Sequence, residues 1–324
     1  MGYVVGPMMN AKPQRRTSPH PLLGGFGARA LSGLLFCGAA LSLVPNQDSA
    51  AREASAQEDS APVEEDAAES ALEVAFNAAG VLIDRKQGAV AFPVTAEVRL
   101  DRLEYVLVNP KGAIHETLLV TPVDAPILGA AFLSIGAEAG ENVKYVPKDP
   151  QPTPDEARAG AKTHDVIVPS GKPVYLYVAW KEGAGVRDVK TGKFPAETLH
   201  FHRLEDLIVD LERDRTLRRH GWVWLGSRVL PPAKAGEPER FAAEVTGNLA
   251  CVSFFPQGDT LLTPALPECN SQTSWIANRW LLPAPGAPML FMGSSERLAA
   301  VPDAFAEAVP FVEESVAELP KRDD

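Results

Sequence analysis

The sequence predicts an α+β fold: a strand-rich, mainly antiparallel sheet with one or two packed helices, in a single globular domain over residues 72–295. Short apolar runs rich in Val, Leu, Tyr and Trp recur between clusters of Gly, Pro, Asn and Asp, the pattern of strands and turns. Helical periodicity follows Asp124. Strands and helices do not alternate regularly, which argues against a doubly wound parallel sheet.

Val81–Asp84 and Ala89–Leu100 read as strands joined by a turn at Lys86-Gln87-Gly88. Leu103–Asn109 (LEYVLVN) and Ala113–Val120 (AIHETLLV) flank the turn Pro110-Lys111-Gly112 and predict a hairpin. Asp124 is placed to cap a helix through Ile135. Ile127, Leu128, Ala131, Phe132 and Ile135 fall on one face, and Gly136 ends it. Val174–Trp180 (VYLYVAW) is apolar on both faces and predicts a buried central strand. The run Arg203–Arg219 alternates in sign and reads as an exposed helix with i,i+4 pairs or as a binding surface. Trp222–Val229 and Phe241–Phe255 predict further strands, with Gly247-Asn248 as a turn or bulge, and Met289–Met292 a last short one.

The ends differ in character. Lys12, Arg15 and Arg16 precede the 15-residue apolar stretch Ala30–Val44, and small residues follow at Ser49-Ala50-Ala51. A basic flank, a short apolar run and small residues make residues 1–51 a secretory signal segment, and the protein extracytoplasmic: periplasmic or secreted. Retained uncleaved, the segment would be a membrane anchor, although Arg29 lies within it. Residues 52–71 are an acidic Ala/Glu/Asp/Ser linker, expected to be disordered for want of large apolar groups. Residues 296–324 form an acidic tail, either loose or packed as short helices against the body.

The chain carries 31 Lys and Arg against 42 Asp and Glu, a formal net charge of −11. Most of such a surface repels nucleic acid, so no nucleic-acid partner is expected, and contact with a membrane is expected only through an uncleaved signal segment. No GxSxG elbow, phosphate-binding glycine loop, HExxH or CxxC occurs.

Four groups of residues can carry chemistry. His115 and Glu116, adjacent on a predicted strand, would point to opposite faces, as structural polar residues or as residues of a ligand groove. Trp222 and Trp224 would share one face, as core or as a stacking platform for a ligand. His200 and His202 share a face if they lie on a strand and could then bind one metal, with a third ligand from His115, His220, Glu205 or Asp206. Cys251 and Cys269 could bridge in an oxidising compartment or stay as two buried thiols.

The segments LEYVLVNPKGAIHETLLVT, APILGAAFLSIG, RLEDLIVD, GWVWLGSR and TGNLACVSFFP, in that order, resemble the YdjY-like domain, a family of exported bacterial proteins. The resemblance covers about residues 76–293 and implies a fold and a location, not a reaction. A ferredoxin-like role is excluded, because an iron–sulfur cluster takes about four cysteines at close spacing and the domain has Cys251 and Cys269 alone. The expectation is therefore a non-enzymatic envelope domain that binds a protein partner or a small ligand and needs no cofactor. The alternative is a metal-binding protein or metal-dependent hydrolase using His200 and His202.

Overall fold

The computed structural model describes residues 71–97, 101–184, 190, 196–234 and 236–312. The segment expected to be a secretory signal, the expected linker up to residue 70 and the end of the expected tail from residue 313 lie outside them.

Eleven strands make the main sheet: β1 (Leu82–Asp84), β2 (Ala89–Ala96), β3 (Tyr105–Val108), β4 (Thr117–Val120), β5 (Pro173–Ala184), β6 (Ala196–Arg203), β7 (Trp222–Trp224), β8 (Asn248–Cys251), β9 (Leu262–Thr263), β10 (Pro288–Ser294) and β11 (Phe311–Val312). Eight of them close a ring in the order β2-β10-β5-β7-β9-β8-β3-β4, with β4 returning to β2. The result is a mixed barrel: β8 runs parallel to β9 and β3 to β4, while the other neighbours are antiparallel. Closure satisfies backbone groups that an open sheet would leave at its edges.

The alternation of side chains explains why these runs close as they do. Val90, Phe92 and Val94 of β2, Phe291 of β10, Leu176, Val178 and Trp180 of β5, and Trp222 and Trp224 of β7 join a core drawn from all eight strands. The intervening residues Ala89, Ala91, Tyr177, Ala179, Leu290 and Met292 are buried too, in a second cluster with Phe305 and Val309. The unbroken apolar run Val174–Trp180 is the signature of a strand covered on both faces.

The cover comes from the segment assigned to the acidic tail. A 3-10 turn at Asp303–Ala308 buries Phe305, and β11 then pairs in parallel with β5, so the globular body continues through Val312.

Residues 71–78 form helix α1. Helix α2 (Ala125–Ser134) buries Leu128, Ala131 and Phe132, and Gly136 at φ +81° turns the chain out of it. Asp124 precedes it but makes no side-chain cap bond; its carboxylate faces Lys111 at 3.5 Å instead. Phe132 stacks on Trp224 with ring centroids 5.0 Å apart. On the other side it lies over Gly293, where a Cβ would stand 2.4 Å from the ring.

Three sequence expectations are corrected. Residues 103–120 do not form a hairpin, because β3 and β4 run parallel, Tyr105 opposite Thr117. Residues 109–116, ending in a 3-10 turn at Ile114–Glu116, carry the chain back, and with strands this short they have to cover only about 13 Å. Phe241–Phe255 is not one strand: Ala242–Thr246 is a short helix, α3, ended by Gly247 at φ +77° before β8 begins. Arg203–Arg219 is not helical. Leu204–Leu207 forms a 3-10 turn, Ile208–Asp210 pairs with Trp275–Ala277, and Leu204, Leu207 and Ile208 are buried.

The contact at Gly293 leads to a test. Gly293→Ala should lower stability by about 1–3 kcal/mol, the usual cost of overpacking a core. Phe132→Leu should cost less in the Gly293→Ala background than alone. Urea unfolding of the four proteins measures both, and additive penalties would show that the ring and the glycine do not meet.

Candidate functional site

β5 is longer than the barrel is deep. Its first residues pair with β7, and from Tyr177 onward the same edge pairs with β6 up to Ala184. One face of this β5–β6 extension, whose β5 also pairs with β11 at Lys181 and Glu182, carries Tyr175, Tyr177, Phe201 and Arg203, and the other carries Trp180, His200 and His202.

On the first face the Tyr177 and Phe201 rings stack at 5.1 Å and 7°. The Arg203 guanidinium lies 5.3 Å from the Tyr175 ring centre and 5.2 Å from that of Tyr177, favourable cation–π distances. Arg297, from the segment after β10, lies 5.4 Å from the Tyr175 ring. The Tyr177 hydroxyl accepts the backbone N–H of Leu298 at 2.8 Å and ties that segment down. Tyr177, Phe201, Arg203, Arg219, Arg297 and Leu298 line an open cleft of about 480 Å³.

The 3-10 turn at Leu204–Leu207 sets two of these arginines. Glu205 points inward and is fully buried. It accepts two hydrogen bonds from Arg203 (2.6 and 3.1 Å), one from the His220 backbone N–H (3.1 Å) and one from Trp222 Nε1 (3.1 Å). Burial raises the Glu205 pKa, and the Arg203 charge and the backbone donors oppose that rise. Asp206, next in the chain, turns outward and accepts two bonds from Arg219 at 2.9 and 2.7 Å.

A separate pairing lies nearby, where Arg215 and Arg218 both reach Glu268. The Arg218 hydrogen bonds hold its carboxyl down at about 2.

The residues singled out from sequence divide. Trp222 and Trp224 are buried core residues, so they offer no stacking platform; Trp222 donates to Glu205 and Trp224 stacks on Phe132. His115 and Glu116 sit on the 3-10 turn before β4, not on opposite faces of a strand, and make contact at 3.4 Å with His115 exposed. Burial and the neighbouring Glu116 raise the pKa of Glu104.

His200 and His202 lie on β6 and share a face. His200 stacks on Trp180 at 4.7 Å, its Nε2 is 2.9 Å from Glu182, and the two imidazole centres are 5.9 Å apart. Among the described residues no three His, Cys, Asp or Glu side chains assemble as metal ligands. Cys251 and Cys269 are both buried as free thiols. Burial pushes Cys251 up to about 11 and Cys269 well above the ordinary thiol range.

Sequence reasoning missed Tyr177 and Arg297 and read Glu205 only as a metal ligand. The one signal available was the charged run Arg203–Arg219 as a binding surface, and it supplies Arg203 and Arg219. Comparison with known proteins finds no matching family model, no matching curated protein and no matching solved structure.

The site has a pH signature. Burial pushes His220 down to about 4, and burial with the neighbouring His200 lowers His202. The unfolded chain protonates these imidazoles near the ordinary value of about 6.5, before the folded chain does. Their contribution to stability is therefore intact above about pH 6.5 and is lost as pH falls toward 4. Urea midpoints should drop across that window and drop less in His220→Asn; equal slopes would show that His220 is not held neutral.

Proposed function

We propose that this chain is an extracytoplasmic binding domain that holds an anionic small molecule in the arginine cleft beside the β5–β6 extension. The observation that carries the reading is the convergence of Arg203, Arg219 and Arg297 on one opening in a chain of net charge −11. Guanidinium groups are planar donors suited to carboxylate, sulfate and phosphate, and the stacked Tyr177 and Phe201 give the opening an apolar wall.

Binding without turnover fits the lining. Among the described residues that line this cleft there is no carboxylate, thiol, imidazole or amine. The hydroxyl of Tyr177 is already engaged by Leu298. Such a lining can attract and orient an anion but offers no general base or nucleophile. A location outside the cytoplasm is supported by the basic flank and 15-residue apolar run at the N-terminus, and by the resemblance to the YdjY-like domain. Among the described residues no helix is long and apolar enough to cross a membrane.

Isothermal titration of the full chain with acetate, benzoate, phthalate and inorganic phosphate tests the proposal. At least one should bind saturably and more weakly as salt rises. Arg297→Ala should weaken it by about tenfold, the order of a hydrogen bond to a charged group. If no anion binds, or if Arg297→Ala binds as well as the parent, the cleft is not a ligand site.

A further inference from the structure

The arginine cleft, read as a ligand site, also limits the charge of its occupant: we infer that it takes a monoanionic amphiphile, one carboxylate-type charge on an apolar ring or chain. The inference rests on the reading of the cleft above and extends it from anions in general to one class.

The argument is a charge balance among named partners. Arg203 is matched by Glu205 through two hydrogen bonds, and Arg219 by Asp206 through two more. Arg297 lies over the Tyr175 ring and has no carboxylate partner among the described residues. One positive charge is left over. A neighbouring cleft of about 440 Å³ shares Arg297 and Leu298 and adds Arg85, Lys86 and Glu296. There Arg85 meets Glu73 at 3.1 Å, and the lining holds one Lys86 against one Glu296, so that cleft supplies no second excess charge.

A first anionic group on a ligand would meet Arg297 and the exposed side of Arg219, while Arg203, its Nε and Nη2 engaged by Glu205 and the His220 carbonyl, adds its field. A second would meet guanidinium groups already neutralised, within the field of a chain of net charge −11. The rest of the lining is apolar. Tyr177 and Phe201 stack nearly parallel, and Leu298 and Ala299 are in the same lining. An aromatic or aliphatic body there would leave water while its charge stayed at the guanidinium groups.

The test varies ligand charge and cleft charge together. On the full chain, benzoate should bind more tightly than acetate, which lacks the ring, and more tightly than phthalate or inorganic phosphate, which carry more charge. Asp206→Asn removes the partner of Arg219, whose side chain is 64% exposed, and gives the cleft a second excess charge. The affinity of phthalate relative to benzoate should then rise by about fivefold, the order of one exposed ion pair. The Asp206→Asn/Arg219→Gln double variant, restored to one excess charge, should return the ratio to that of the parent chain.

The inference is overturned if phthalate or phosphate matches benzoate in the parent chain. It is equally overturned if acetate binds as well as benzoate, or if Asp206→Asn leaves the ratio unchanged. Any of these results, with binding still dependent on Arg297, removes the charge class and leaves the cleft as a ligand site. Failure of all four anions to bind removes both.

Discussion

The carboxylate of Glu205 is buried in the body of the protein, and much of the architecture around the cleft follows from how it is compensated. A carboxylate cannot leave water without several strong donors. Here they come from three places in the chain: Arg203 at the end of β6, the backbone at His220, and the indole of Trp222 on β7. The acceptor therefore fixes the turn after β6, the approach to β7 and the direction of Arg203 at once. Because Glu205 faces in, its neighbour Asp206 faces out, and Arg219 is set on the same side as Arg203. A requirement of burial thus lines up two cations along one wall.

The third cation depends on a different constraint. β2, β10 and β5 carry apolar residues on both faces, so closing the barrel covers one face and leaves the other needing cover. The chain after β10 provides it through Phe305 and Val309, and the Tyr177 hydroxyl pins it at Leu298. Arg297 precedes that anchor by one residue. Covering a hydrophobic surface and completing the cleft are done by the same segment, which explains why an acidic, proline-containing end of the chain contributes an arginine to the site.

The two faces of the β5–β6 extension separate two kinds of environment. On one, Arg203 and Arg297 stand against tyrosine rings beside an open cleft. On the other, His200 and His202 stack on the buried Trp180, and burial disfavours the charged form of His202. The period of two along a strand is enough to put guanidinium groups on one side and imidazoles on the other. Net charge is a poor guide to such a place, because a chain with 42 acidic side chains can still present a local excess of guanidinium where the carboxylates are turned to other work.

Local chemistry was legible in the sequence. The apolar run Val174–Trp180 and the helix after Asp124, with Phe132 on its inner face and Gly136 at its end, depend on residues a few positions apart, and side-chain period and a terminal glycine report them directly; whether His200–His202 lies on a strand was left open by the sequence. Partners distant in the chain were not legible. Whether β3 and β4 run parallel or antiparallel depends on how residues 109–116 turn back. Whether Arg203–Arg219 is a helix depends on a buried carboxylate being offered Trp222 and His220. The sequence by itself determined a strand-rich body, its helix and its acidic balance, because side-chain period and composition are properties of neighbours. Only the tertiary structure decided that the sheet closes into a barrel, and that Arg203, Arg219 and Arg297 meet in one cleft. Those outcomes depend on burial and hydrogen bonding between segments up to about two hundred residues apart, where the cost of leaving a charge or an apolar face unsatisfied selects the arrangement.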